Sequence, residues 1–190
     1  EKVTLSFGIQ QDNIFGSGQN LGVQISTSKF NTYYVVSTTN PYFTEDGVSR
    51  SFSFSHRSSK PYVTQGGDYR LISDAVAINF GIPFSELDRV FTGVGVEQTE
   101  IVPGTNLPAS YLAYANTFGY TTKTVPLSVG WARDGRDSYL NPSSGKYMRA
   151  NSDVGVVGDT RYIRMATQYQ QYVPLTKQYT FAFNADFGLG

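Results

Sequence analysis

The chain contains no cysteine, which excludes disulfide frameworks and thiolate metal centres. It has a single histidine, His56, so a zinc site or a histidine-based triad would have only one anchor. Lys+Arg and Asp+Glu are 15 each, and a net charge of zero argues against a nucleic-acid binder. Charged residues make up 16% of the chain, well under the roughly 25% of ordinary soluble domains. No apolar run is long enough for a transmembrane helix. No basic stretch followed by an apolar core opens the chain, so no signal peptide is read. None of this bears on a membrane-spanning β-barrel, whose strands alternate and escape hydropathy averages.

What the chain does have is aromatic residues, with Tyr 14 and Phe 13, and a period-two alternation that restarts about ten times. Near Lys2–Asp12, Val3, Leu5, Phe7 and Ile9 alternate with Thr4, Ser6, Gly8 and Gln10. Near the other end, Tyr179, Phe181, Phe183, Ala185, Phe187 and Leu189 alternate with Thr180, Ala182, Asn184, Asp186 and Gly188. Such a period means strands with two unlike faces. Between these lie strands centred on Val23, Val36, Phe54, Val76, Val94, Leu127, Ala150 and Met165. Turns fall at Gly16-Ser17-Gly18, Phe30-Asn31, Asn40-Pro41 to Gly47, Pro83–Asp88, Asp134–Gly145, Gly158–Thr160 and Pro174–Lys177. A polar loop is expected over Arg57–Tyr69, including Pro61, Gly66 and Gly67, and a long irregular stretch over Thr99–Thr122. Within the latter, Pro108 to Ala115 could form two or three helical turns. Short connections and no helical crossovers predict an antiparallel up-and-down meander.

The face opposite the apolar one is mostly Gly, Ser, Thr, Asn and Gln. That is a poor water-facing surface and a suitable barrel lumen. The charges Asp46, Lys60, Arg70, Glu86, Asp88, Lys123, Arg133, Asp134, Arg136, Asp137 and Lys177 gather in turns or at strand ends. Tyr42, Phe43, Phe80, Phe84, Trp131, Tyr169 and Tyr172 stand where interfacial aromatic girdles would lie. The two longest loops share one edge, as on the extracellular side of outer-membrane barrels. The expected fold is therefore all-β, a transmembrane barrel meander of about ten strands spanning 1–190 as one unit. A soluble ligand-binding β-domain is the less favoured alternative architecture.

Chemical motifs are scarce. His56, at the apolar-side end of the fourth strand, reads as a girdle or loop-edge histidine. Gly16-Ser17-Gly18 joins two strands, not a strand and a helix, so it reads as a hairpin turn and not a phosphate loop. Gly93 and Gly95 read as lumenal glycines that ease curvature. Arg149, Asp153 and Arg164 face the lumen, where the favoured expectation is that they pair with one another and the alternative is that they line a permeation path. Asp134, Arg136 and Asp137 lack the ligand spacing of a calcium loop. No residue emerges as catalytic, cofactor-binding or metal-binding, and no enzyme activity is read.

Several segments together resemble the BamA family of bacterial outer-membrane barrel-assembly proteins. They are Gly8-Ile9-Gln10-Gln11-Asp12-Asn13 with Gly16-Ser17-Gly18, and Thr39-Asn40-Pro41-Tyr42-Phe43-Thr44-Glu45-Asp46-Gly47-Val48-Ser49. Weaker ones are Gly81-Ile82-Pro83, Gly130-Trp131 and Tyr172-Val173-Pro174-Leu175. The resemblance implies a sixteen-stranded barrel preceded by periplasmic POTRA domains, of which this chain looks like strands two to eleven. It also implies insertion of unfolded outer-membrane proteins, contact with membrane lipid, and partner subunits met mainly through domains not seen here. POTRA domains, the seam strands and the family's Arg-Gly-Phe loop motif are not read in the sequence. The expectation is that this portion alone is inactive, with homo-oligomerisation through exposed edge strands possible. The rival reading is a small self-contained outer-membrane pore or adhesin-like barrel.

Overall fold

The computed structural model describes residues 3–60, 68–176 and 178–190. The expected positions Lys2, Pro61, Gly66, Gly67 and Lys177 lie outside the described residues. Alternation in the sequence becomes one ten-stranded sheet in strict chain order. Its strands are β1 (Thr4–Gln11), β2 (Asn20–Ser28), β3 (Asn31–Asn40), β4 (Ser49–Ser59) and β5 (Arg70–Pro83). They continue as β6 (Asp88–Val102), β7 (Thr121–Asp134), β8 (Gly145–Gly158), β9 (Tyr162–Pro174) and β10 (Thr180–Leu189). Each neighbouring pair is antiparallel, as short connections require. β1 pairs only with β2 and β10 only with β9, so the sheet is not closed on itself.

The register sorts the side chains by chemistry. One row runs Val23–Val36–Phe54–Val76–Val96, and another Ile78–Val94–Leu127–Val154–Ile163. On the opposite face, Ser37, Ser53, Ala77 and Gly95 form one row, and Asn79, Gly93, Ser128 and Asp153 another. Burial is inverted relative to a water-soluble domain. Gly81, Gly93, Gly95, Ile101, Thr122, Thr124, Gly130 and Gly155 are buried, and all belong to the small polar face. The apolar face stays open, with Val76 and Val96 both 56% exposed. A curved sheet crowds its inner face, so the polar face is the lumenal one and the apolar face points outward.

That crowding explains the lumenal glycines. A Cβ added at Gly95 would stand 2.8 Å from the Val76 carbonyl oxygen and 3.2 Å from Ala77 Cβ. At Gly93 it would stand 2.1 Å from Asn79 Oδ1. At Gly155 it would stand 2.9 Å from two carbons of the Tyr162 ring.

Three features depart from the sequence reading. Strand pairing continues through expected loop: Arg57, Ser58 and Ser59 pair with Ser73, Ile72 and Leu71, while Thr99 and Glu100 pair with Thr122 and Thr121. These hairpins extend beyond the apolar belt. There polar residues such as Arg57, Ser58, Thr99 and Glu100 fall on both faces, interspersed with Leu71 and Ile72, and periodicity no longer marks a strand. The connection between β6 and β7 is accordingly shorter than expected. It holds helix α1 (Ala109–Phe118), longer than the sequence suggested, with Pro108 just before its first turn. Second, β7 contains Pro126, and the register with β8 shifts between Val125 and Pro126. Proline has no N–H to give the ladder, so a bulge at this point leaves Val156 as the extra residue. Third, Tyr172 shares the lumenal face with Gln170 and Gln168, so it is not part of an outward girdle. Trp131 and Tyr169 do face outward.

The Gly16-Ser17-Gly18 segment is a turn, as read. Gly16 and Gly18 take φ of 76° and 71°, conformations open to glycine. The Gly18 N–H donates to Asn13 Oδ1 at 2.6 Å, and Ser17 Oγ donates to the Ile14 carbonyl at 2.6 Å.

Candidate functional site

Among the described residues no catalytic constellation is assembled, and the surfaces open to interaction are the two faces of the sheet and its edges. On the outward faces of β4 and β6, polar residues bracket the apolar stretch. In β6, Val90, Thr92, Val94 and Val96 lie between Asp88 and Gln98. At about 3.3 Å per residue and a tilt near 40°, that interval spans about 25 Å of membrane thickness. In β4 only Phe52 and Phe54 lie between Arg50 and His56. The same geometry gives about 15 Å there. The apolar belt is therefore narrower along β4 than along β6.

The brackets are themselves built. His56 Nδ1 lies 2.6 Å from Asp74 Oδ1, directly across the β4–β5 pair, and its ring stacks on Tyr34 at 5.7 Å. The edge-histidine reading thus gains a carboxylate partner, but among the described residues no hydroxyl hydrogen-bonds the ring to complete a triad. At the opposite edge, Trp131 Nε1 donates to Asp88 Oδ1 at 3.1 Å, and Arg133 lies 3.7 Å from Asp88 Oδ2. Arg50 is different. Its guanidinium sits 4.1 Å from the Phe43 ring centre and 5.0 Å from that of Phe52.

On the lumenal face, the inward charges do not pair as expected. Asp153 and Arg164 are directly opposed, yet Asp153 accepts from Ser128 Oγ at 2.6 Å while Arg164 lies 4.5 Å over the Tyr162 ring. Arg149 Nε donates to Asn151 Oδ1 at 3.3 Å and sits 5.9 Å from the Phe91 ring. Neutral neighbours satisfy these charges, which an alternation pattern cannot reveal. The ion pairs among the described residues are His56–Asp74, Arg133–Asp88 and Arg136–Asp134.

One end of the lumenal face is covered. α1 packs there through Tyr114, whose hydroxyl lies 3.3 Å from Thr122 Oγ1 and whose ring meets that of Phe118 at a tilt of 45°, centres 5.0 Å apart. The buried Tyr69 ring, at the start of β5, meets Tyr111 of α1 at 5.1 Å. Asp68 Oδ1 accepts the Thr105 N–H at 2.5 Å, which joins the two long connections and holds that carboxyl below its usual range. A cleft of about 260 Å³ remains under α1, walled by Glu97, Tyr114, Thr124, Tyr162 and Arg164.

At the other end, the β7–β8 turn is fastened by two acids. Asp134 takes two hydrogen bonds from Arg136, at 2.8 and 2.7 Å, and this pairing raises the guanidinium above its ordinary value. Asp137 accepts from the Ser143 hydroxyl, the Ser143 N–H at 2.8 Å and the Ser144 N–H at 3.1 Å. Those donors hold its carboxyl far below the usual aspartate range, the Ser143 hydroxyl contributing most. Both carboxylates are thus occupied by protein donors.

Comparison with known proteins places this architecture. The family model of the Omp85 superfamily domain matches residues 13–190. Over 98% of its length, the chain is 28% identical to the outer membrane protein assembly factor BamA of Neisseria meningitidis serogroup B (strain ATCC BAA-335 / MC58). It spans 25% of that relative's length. The fold is shared with the crystal structure of BamA from Haemophilus ducreyi lacking POTRA domains 1–3, at a TM-score of 0.79 and 21% identity. That superposition covers 97% of this chain and 38% of the other. An outward apolar belt, a polar lumenal face and a family match over nearly the whole length lead to one conclusion: the chain belongs to the Omp85 superfamily and is a transmembrane β-barrel meander of the Gram-negative outer membrane.

Proposed function

We propose that this chain forms barrel wall in an outer-membrane protein assembly factor, one that folds and inserts β-barrel proteins. The observation that carries the reading is its identity, over 98% of its length, to a relative named as such a factor. The belt geometry supports it physically. A span of about 15 Å along β4 is shorter than the apolar band of about 25 Å usual for such barrels, and a bilayer meeting it must thin or disorder. Thinned lipid lowers the cost of moving strand backbone into the membrane.

The partners under this reading are unfolded outer-membrane proteins, further subunits of the assembly machinery, and the surrounding lipid. A further strand can add at the free edges of β1 and β10, whether from a client, from the same protein or from a second copy. The role needs no covalent step and no cofactor, because its work is exchange of backbone hydrogen bonds and deformation of lipid.

The test is reconstitution of the complete protein into liposomes, with an unfolded outer-membrane barrel added in urea. Folded client is read as a heat-modifiable band on a gel. Faster appearance of that band than in protein-free liposomes is the expected result. Equal rates would remove the assembly role while leaving the fold untouched.

A further inference from the structure

Two arginines stand on the outward face at the edge opposite α1, Arg50 in β4 and Arg133 in β7. Arg133 is neutralised by Asp88. Arg50 makes no ion pair among the described residues. Its Nε is buried without a hydrogen-bond acceptor. Across the ladder it faces Asn40 on one side and Phe80 on the other, neither of which is acidic. The guanidinium is nonetheless fixed, lying between the rings of Phe43 and Phe52. Phe43 in turn contacts Phe80, ring centres 6.3 Å apart. A guanidinium held over aromatic faces keeps its charge and its planar array of donors. Here that array meets no anion from the protein.

The adjoining β3–β4 turn adds the opposite charge. Phe43 N–H donates to the Val48 carbonyl at 2.8 Å and Gly47 N–H to the Thr44 carbonyl at 3.1 Å, which closes the turn. Glu45 and Asp46 occupy its tip, both exposed. On β4 a cation thus stands at the end of the apolar stretch, with two carboxylates in the turn beyond it. A zwitterionic headgroup has the matching order, phosphate next to the acyl chains and ammonium beyond it. The long α1-bearing connection assigns the opposite edge to the outside, so this edge faces the glycerophospholipid leaflet.

We propose that Arg50 anchors the phosphate of a phosphatidylethanolamine, with Glu45 and Asp46 facing its ammonium and the acyl chains lying over Phe52 and Phe80. This site does not depend on the assembly role. The phosphate is met by the terminal guanidinium nitrogens, since Nε is closed off by the protein, and a charge-assisted bond to a planar guanidinium is among the stronger polar contacts.

Native mass spectrometry of the complete protein in detergent, titrated with phosphatidylethanolamine or phosphatidylglycerol of identical chains, tests the proposal. Wild type should hold one tight phosphatidylethanolamine adduct, favoured over phosphatidylglycerol by about fivefold, the scale of an exposed charge contact. Arg50→Gln should weaken that adduct about tenfold. Glu45→Gln with Asp46→Asn should keep lipid binding but lose the headgroup preference. Should Arg50→Gln fail to fold, Arg50→Lys, which keeps the charge without the planar stacking, should show intermediate binding. Equal binding of the two lipids by wild type, or an adduct unaffected by either Arg50 substitution, would overturn the site.

Discussion

His56 and Asp74 meet at 2.6 Å on the outward face of the sheet, one residue from each strand of the β4–β5 pair. They form one end of the apolar stretch in their strands, and each removes from the other the cost of standing unpaired beside lipid. His56→Leu should destabilise the protein by about 1–3 kcal/mol, the cost of a stranded polar group. Adding Asp74→Val should recover most of the loss. Urea midpoints of liposome-inserted protein measure both, and a double variant no more stable than His56→Leu would contradict the pairing.

The two faces should answer differently to the same charge. Val94→Arg places a guanidinium on the outward face in the middle of the belt and should cost about 2–4 kcal/mol. Ser53→Arg, on the lumenal face of β4, should cost far less. Equilibrium folding into vesicles gives both values, and a reversed order would mean that the faces are misassigned.

Curvature makes the lumenal glycines unequal. Gly95→Ala drives its methyl toward the Val76 carbonyl and Ala77 Cβ, which cannot rotate away. About 1–3 kcal/mol is expected for such overpacking. At Gly93 the nearest obstacle is the Asn79 side chain, which can turn aside, although the Ile78 carbonyl oxygen at 3.1 Å still crowds the methyl. Gly93→Ala should therefore be the milder change in the same denaturation assay.

Asp137 sets a pH response in the β7–β8 turn. Its folded carboxyl lies below the unfolded aspartate value of about 3.9, so its contribution is complete above that value. It is lost as pH falls through the lower, folded value. Protection of the Ser143 and Ser144 amides, read by hydrogen exchange and corrected for intrinsic rates, should hold through mildly acidic pH and fail only in strong acid. Asp137→Asn should weaken that protection at neutral pH and remove its acid dependence.

The strands and their faces were legible because a bilayer demands period-two alternation. Val90, Thr92, Val94 and Val96 show it plainly, and so do the Ser and Gly residues between them. Legibility failed where that demand stops. Arg57–Ser59 and Thr99–Glu100 belong to strands standing clear of the apolar belt, where either face may be polar. Pro126 leaves the alternation of Val125, Leu127 and Val129 unbroken, and its bulge is visible only against β8. Arg50 was missed because a single arginine in a Ser/Phe alternation carries no sequence signal. Its meaning comes from Phe43, brought beside it by the turn at Thr44–Gly47.

The inverted burial of this sheet changes what its side chains must specify. In a protein core, removing a methyl leaves a hole that neighbours fill only in part. Outside this sheet the neighbour is a fluid acyl chain, which flows into the space that Val94→Ala or Phe54→Leu would vacate. Exact shape is therefore dispensable outward, where only oiliness is required, and indispensable inward, where Gly95 has room for a hydrogen and nothing more. The apolar belt is free to drift among apolar residues, while lumenal glycines pressed against a neighbouring strand, such as Gly95, are held fixed.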